Sequence, residues 1–210
     1  MPAEAPSITL IAVPETFLSL ATGVALSTAV GFNAYLPLLV TGVLARTTDL
    51  ITLGSPYDQL EEPAVLSVIA AIAVVDFVGD KVPAVDHAFH LVGAVVAPVV
   101  GAGLAVAVTQ DTGTFPAVSV ILGVLAAGAT HGARSSVRPF STLTTGGIGN
   151  PILSLGEDGL SATLSFLAIV VPLIALASCI VILALIAWAL TSRRRRRRRA
   201  DAPERRETGG

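Results

Sequence analysis

Two pairs of ionisable residues with helical spacing lie close together in this sequence, on either side of a proline. Asp76 and Asp80 are four residues apart, and Asp86 and His90 repeat that spacing after Pro83. Residues four apart share one face of a helix, so each pair presents its polar groups together. Neighbouring carboxylates can carry a proton, bind a cation or, with a histidine, hold a divalent metal. The metal candidates are therefore Asp76, Asp80, Asp86 and His90.

Further polar residues interrupt apolar sequence elsewhere in the chain. A carboxylate at the centre of a membrane span costs about 3 kcal/mol, so such groups are expected to pair with one another or to line a wet cavity. The predicted transport or polar-site residues are Asp76, Asp80, Lys81, Asp86, His90, Asn33, Arg134, Glu157 and Asp158. No catalytic residue and no cofactor are predicted.

The same residues also have purely structural interpretations. Residues 80–86 form an interfacial loop in that interpretation, and Asn33 bonds a neighbouring helix. Ser154-Leu-Gly-Glu157 has the spacing of a capping box, which predicts a helix that starts near Leu155. Glu157 and Asp158 then stabilise the helix N-terminus rather than a bound ion.

The elements that carry these residues are apolar segments. The chain is 53% hydrophobic and 13% charged, whereas a soluble domain has about a quarter charged residues. The apolar segments lie at 17–45, 63–79, 84–109, 115–133, 155–170 and 172–191. The last two would form a single helix of about 54 Å, too long for a hydrocarbon core of about 30 Å, so a break at Pro172 is predicted. We predict an all-α polytopic transmembrane bundle, with six spans favoured and five as the alternative.

Charge placement orients this bundle. Gly159–Ser192 carries no charge and is followed at once by Arg193–Arg199, a pattern that places the C-terminus on the cytoplasmic side. Six spans put the acidic 46–62 loop outside and three basic residues inside: Lys81, Arg134 and Arg138. The predicted regions are an N-terminal segment 1–16, a transmembrane domain 17–191 and a disordered arginine-rich tail 192–210.

The localisation that follows is a bacterial inner membrane, with the N-terminus also cytoplasmic. The expected partners are the bilayer, anionic lipid at Arg193–Arg199 and further copies of the chain, without nucleic acid. A loose echo of Gly31–Pro37 in Gly132–Pro139 suggests an inverted 3+3 repeat with broken helices, as in many transporters.

Three motifs together resemble a known family. The stretches AVGFNAYLPLL at 29–39, DFVGDKVPAVD at 76–86 and LSLGED at 153–158 are similar to the bacterial membrane family named domain of unknown function 4126. The resemblance spans roughly residues 17–190. It implies a multi-span membrane protein and brings no established activity. The family has an Arg-Pro pair after the position of His90, where this sequence has Ala97-Pro98.

Three functional hypotheses follow. The first is a small transporter or channel for a proton or cation that uses the acidic residues. The second is a non-catalytic membrane scaffold, which would pack against a partner through small-residue faces such as Gly93-Gly101 and Gly128-Gly132. The third is a metal-dependent hydrolase, ranked last because no nucleophile stands beside the carboxylates. The sequence therefore favours a role other than an enzyme.

Overall fold

Seven α-helices and two short 3₁₀ helices make up the described part of the chain, which contains no strand. The computed structural model describes residues 14–79, 83–145 and 149–200, and within these it leaves undescribed the side chains of 83–91, 137–145, 186, 189–190 and 193–200. The helices are α1 Glu15–Phe32, α2 Tyr35–Thr47, α3 Pro63–Gly79, α4 Pro83–Ala107, α5 Pro116–Thr145, α6 Asn150–Val170 and α7 Pro172–Ala200, with 3₁₀ helices at Tyr57–Glu61 and Gln110–Thr112. The predicted all-α class is thus confirmed.

Helix α1 is the centre of the bundle and contacts α4, α5, α6 and α7. Its small side chains let these helices come close. A Cβ added to Gly23 would lie 3.2 Å from the Cα of Ala105, and the Ser27 hydroxyl donates to the Gly101 carbonyl oxygen at 2.8 Å. Three alanines that line α1 are at most 3% exposed: Ala21, Ala25 and Ala29.

The directions of the helices follow from their end contacts. Thr16 at the start of α1 donates to the Thr112 carbonyl oxygen between α4 and α5, so α4 ends and α5 begins where α1 begins. Pro172 at the start of α7 lines a cavity with Thr22, and further along α7 Cys179 lies beside Thr28, so α7 runs parallel to α1. We call the two ends of the bundle the Glu15 end and the Asn33 end.

The chain turns back at Asn33, between α1 and α2. Helix α2 packs against α3 and α6 and barely touches α1. The loop after α2 returns to the Glu15 end, where Leu50–Thr52 and Leu18 line the same cavity. The predicted segment 17–45 is therefore two helices that run in opposite directions. As a result the seven helices alternate in direction, and residues 14 and 200 lie at opposite ends of the bundle.

Two predicted helix limits are wrong. Helix α5 continues to Thr145, so the Gly/Ser/Thr-rich stretch from Ser135 is helical at its start. Helix α6 begins at Asn150, not near Leu155, because Pro151 occupies an early helical position where its missing N–H costs nothing. Ser154 and Glu157 consequently lie inside α6 and form no capping box.

The predicted break at Pro172 is confirmed, since α6 ends at Val170 and α7 begins at Pro172. Val171 between them has φ −140° and ψ 73°, outside the helical region. Helix α7 continues through Ala200, whereas the sequence predicts disorder from residue 192; arginine is a good helix former. Residues 1–13 and 201–210 of the predicted terminal regions lie outside the described residues.

The distribution of apolar and polar side chains is that of a membrane protein. Val95, Val99 and Leu125 are 62–67% exposed, while Ser27 and Ser165 are fully buried. Among the described residues three helices are long and apolar enough to cross a membrane: Glu15–Phe32, Pro116–Ser136 and Asn150–Val170. Four shorter apolar helices accompany them: Tyr35–Thr47, Pro63–Gly79, Val92–Ala107 and Pro172–Leu185.

The six-span count and the inverted repeat are not confirmed. Gly31–Pro37 contains the break between α1 and α2, but the matching stretch Gly132–Pro139 lies within continuous α5. The sequence similarity of these two stretches predicts a helix break in both halves of the chain. The structure has the break in the first half only.

Gly101→Ala should destabilise the bundle by about 1–3 kcal/mol, because overpacking a tight helix contact forces backbone shifts. A Cβ at Gly101 would lie 2.6 Å from the Ala127 Cβ and 3.0 Å from the Gly123 carbonyl oxygen. The measurement is the thermal unfolding midpoint in detergent.

Gly132→Ala is the matched control, since nothing lies within 4 Å of the new Cβ. Alanine is a better helix former than glycine by about 1 kcal/mol, so this variant should unfold at or above the wild-type temperature. Equal losses in the two variants would contradict the helix packing described here.

Candidate functional site

Asn33 holds the break between α1 and α2. Its side-chain Oδ1 accepts hydrogen bonds from the backbone N–H of Tyr35 at 2.9 Å and of Leu36 at 3.2 Å. Those N–H groups belong to the first turn of α2 and have no partner within the helix. Asn33 is 4% exposed and has extended backbone angles, so it caps α2 while ending α1.

The nitrogen atom of the Asn33 amide bonds two carboxylates from two other helices. Nδ2 donates to Asp158 Oδ1 of α6 at 2.9 Å and to Asp76 Oδ2 of α3 at 3.3 Å. This orientation of the amide follows from its neighbours, because backbone N–H groups need an acceptor and carboxylates need donors. One side chain thus ties the start of α2 to α3 and α6.

Arg134 of α5 occupies the other side of the break. Its Nε donates to Glu157 Oε2 of α6 at 2.7 Å, and its Nη1 donates to the carbonyl oxygen of Phe32, the last residue of α1. A cation at a helix C-terminus is favourable. The two charged side chains are only 10% and 8% exposed, so each is needed to keep the other from being buried alone.

Ser161 of α6 completes the group. Its hydroxyl donates to the carbonyl oxygen of Ala29 at 2.9 Å and is 3.2 Å from that of Asn33. Together with Arg134, which donates to Phe32, Ser161 supplies side-chain donors to carbonyl oxygens at the end of α1. We call these six residues the Asn33 cluster: Asn33, Asp76, Arg134, Glu157, Asp158 and Ser161.

The sequence missed Ser161, although a signal for it exists. Ser154, Glu157, Asp158, Ser161 and Ser165 recur three or four residues apart along apolar α6, and all are at most 9% exposed. This spacing marks one buried polar face of a helix.

The cluster lies within the bundle. By the helical rise of 1.5 Å per residue, Asp158 is about 12 Å from the first residue of α6, and Arg134 is about 17 Å from the last residue of α5. Glu157 and Asp158 are 7% and 9% exposed, and no acidic residue stands in the first turn of α6. The capping interpretation of this acidic pair is therefore wrong.

Five predicted site residues meet in this cluster: Asn33, Asp76, Arg134, Glu157 and Asp158. Asp80 and Lys81 lie outside the described residues. Asp86 and His90 lie in the first turns of α4, and their side chains are outside the description. Of the metal candidates only Asp76 has a described side chain, and among described residues no group of three or more His, Cys, Asp or Glu is placed to hold a metal.

The arrangement has a definite chemical capacity. Three carboxylates and one guanidinium are the charged groups of the cluster, and the amide of Asn33 draws two of those carboxylates onto one donor. Like charges this close in a poorly solvated site favour uptake of a proton or of a small cation with oxygen ligands.

The comparisons with known proteins agree with the resemblance seen in the sequence motifs. Residues 20–192 match the model of a family described as Domain of unknown function (DUF4126). The match runs from the first turns of α1 to α7 and includes every residue of the Asn33 cluster. No curated protein and no solved structure matches the chain.

Asn33→Ala should lower the free energy of unfolding by about 3 kcal/mol, because it removes the cap of α2 and leaves two carboxylates without their shared donor. Chemical denaturation in detergent measures this loss. Gln59→Ala, an exposed amide in the 3₁₀ helix after α2, is the matched control and should stay within about 0.5 kcal/mol of wild type. Equal stability of the two variants would contradict the bridging role of Asn33.

Arg134→Met should cost about 3–5 kcal/mol, because it leaves Glu157 buried without its guanidinium. Adding Glu157→Leu should recover part of this loss, since replacing both partners by apolar groups removes the buried charge. A double-mutant cycle on unfolding free energies tests the pair. Strictly additive effects of the two substitutions would show that the ion pair contributes nothing.

Proposed function

Since the chain belongs to the family named domain of unknown function 4126, whose description assigns no activity, we propose from the Asn33 cluster that this protein is a small membrane transporter or channel for a proton or cation. The observation that carries the proposal is the bridge from Asn33 Nδ2 to Asp76 and Asp158. It places two carboxylates from different helices on one donor at a break in the central helix.

Energetics support this proposal over a structural role alone. Carboxylates within a membrane-spanning bundle are costly and commonly mark ion pathways or proton relays. A single Arg134–Glu157 pair would be enough to satisfy the end of α1. Asp76 and Asp158 are two further carboxylates of the cluster, and two carboxylates held on one donor favour binding of a proton or cation.

The broken central helix supports the same function. Transporters bind ions where interrupted helices leave backbone carbonyls and helix ends beside acidic side chains. Here the end of α1, the start of α2 and three carboxylates meet in one cluster. The carbonyl oxygens of Phe32 and Asn33 also lie at this break, where Arg134 and Ser161 donate to them.

We infer that the Asn33 end faces the cytoplasm. Helix α7 runs toward that end and is followed by Arg193–Arg199, and Arg134 lies in the cluster, which fits the positive-inside bias. The chain then crosses the membrane seven times, six times as a helix and once as α2, about 20 Å long, together with the loop that follows it. This arrangement puts the start of α1 on the outer side, unlike the cytoplasmic N-terminus that the sequence suggests.

The scaffold hypothesis has less support. One of the two faces that motivated it is used inside the bundle, where Gly101 lies against Gly123 and Ala127. That face is therefore not open to a partner, whereas Gly132 of the other face is exposed. The arginine run remains suited to anionic headgroups, which fits a transporter equally well.

Asp158→Asn should reduce ion flux to the level of protein-free liposomes, because it removes a carboxylate from the cluster while keeping its shape. The assay is proton or sodium flux in proteoliposomes of purified full-length protein, driven by a potassium diffusion potential. Asp49→Asn, which removes one charge from the exposed loop after α2, should keep the wild-type flux.

Thermal unfolding of both variants separates a functional loss from misfolding, and Asp76→Asn serves as the second cluster variant. Proton and sodium flux through wild-type protein no greater than that of empty liposomes would contradict the proposal. Wild-type flux in both Asp158→Asn and Asp76→Asn would do the same.

A further inference from the structure

We propose that the conducted ion travels along the interface of α1 and α6, from a cavity at the Glu15 end to the Asn33 cluster. This inference rests on the proposed function and names the route that serves the same site. It joins three observations: a cavity with hydroxyl groups in its lining, a buried polar face on α6, and the cluster at the far end of that face.

The cavity has a volume of about 250 Å³, enough for several water molecules. It lies where α1 begins, α6 ends and α7 begins. Its polar lining comes from the hydroxyl-bearing residues Ser19, Thr22 and Thr52, and its remaining lining residues are Leu18, Leu50, Ile51, Val108, Ile169 and Pro172. No charged side chain lines it, which suits an entrance rather than a binding site.

Helix α6 connects this cavity to the cluster through one face. Starting from Asp158, the positions one turn apart are Ser161, Ser165 and Ile169, and Ile169 lines the cavity. Ser161 and Ser165 are fully buried. The two serines are therefore the polar steps between the cavity and the carboxylates, because residues three or four apart stack on one helix face.

These steps form a ladder of oxygen atoms. The Ser165 hydroxyl donates to the Ser161 carbonyl oxygen at 2.7 Å, and the Ser161 hydroxyl donates to the carbonyl oxygen of Ala29 and lies 3.2 Å from that of Asn33. Hydroxyl groups can rotate to donate or accept. Such a ladder suits a proton or a small cation with oxygen ligands, and it offers an anion few donors.

The opposite wall of the route is α1. The carbonyl oxygen of Ala29 accepts from Ser161, and Ala29 and Ala25, one turn earlier, are fully buried. Because Ser161 and Ser165 are fully buried as well, passage of an ion requires α1 and α6 to move apart.

Ser165→Leu should abolish flux in the proteoliposome assay, because an apolar side chain at this point blocks a polar pathway. Thr163→Leu is the matched control, since Thr163 is exposed on the opposite face of the same helix, and it should keep wild-type flux. Unfolding midpoints of both variants show whether each folds.

A labelling experiment keeps the inference testable if Ser165→Leu fails to fold. The chain has one cysteine, Cys179, and Cys179→Ala gives a background for single cysteines. Thr22→Cys, Ser165→Cys and Thr163→Cys are then treated with a small cationic methanethiosulfonate reagent during flux. We expect labelling and loss of flux at the first two positions, and neither at Thr163, which faces lipid.

The outcomes separate the route from the function. Flux that depends on Asp158, with Ser165→Cys unlabelled and Ser165→Leu at wild-type rate, overturns the route and leaves the proposed function standing. A wild-type protein without flux overturns the proposed function, and the route falls with it.

Discussion

The side-chain amide of Asn33 is the interaction on which the rest of the structure depends. Its oxygen caps the first turn of α2 and its nitrogen holds Asp76 and Asp158. Without a capping side chain, α2 would begin with unsatisfied N–H groups inside a poorly solvated bundle, at a cost of about 1–3 kcal/mol each. The start of α2, helix α3 and helix α6 are all joined through this one residue.

Two other constraints make the position of Asn33 possible. Helix α1 is surrounded by four other helices, so it needs small side chains at its contacts. Its glycine and alanine residues provide them. The end of α1 must also be satisfied electrostatically, and the guanidinium of Arg134 does this while held by Glu157. Close packing therefore fixes where α1 ends, and the charges fix which groups surround that end.

Structural features that depend on neighbouring residues could be predicted from the sequence. Features that depend on contacts between distant parts of the chain could not. The stretch Gly31–Pro37 suggested a broken helix, but the reversal of the chain there depends on packing of α2 against α3 and α6. The capping box at Ser154 was a false match, since the partner of Glu157 is Arg134, 23 residues away on another helix. Five site residues were identified because four charged side chains and one amide interrupt apolar sequence, whereas a single serine such as Ser161 is common in apolar helices.

The most direct test of this account is the distance between Asp76 and Asp158 in the membrane. Cysteines replacing both residues in a Cys179→Ala background would be treated with a short bifunctional thiol reagent. The account predicts an intramolecular cross-link, because both carboxylates bond the same Asn33 nitrogen. Pairing the cysteine at position 76 with Thr163→Cys should give none. Absence of a cross-link between positions 76 and 158, in protein whose single cysteines are labelled, would contradict the existence of the Asn33 cluster.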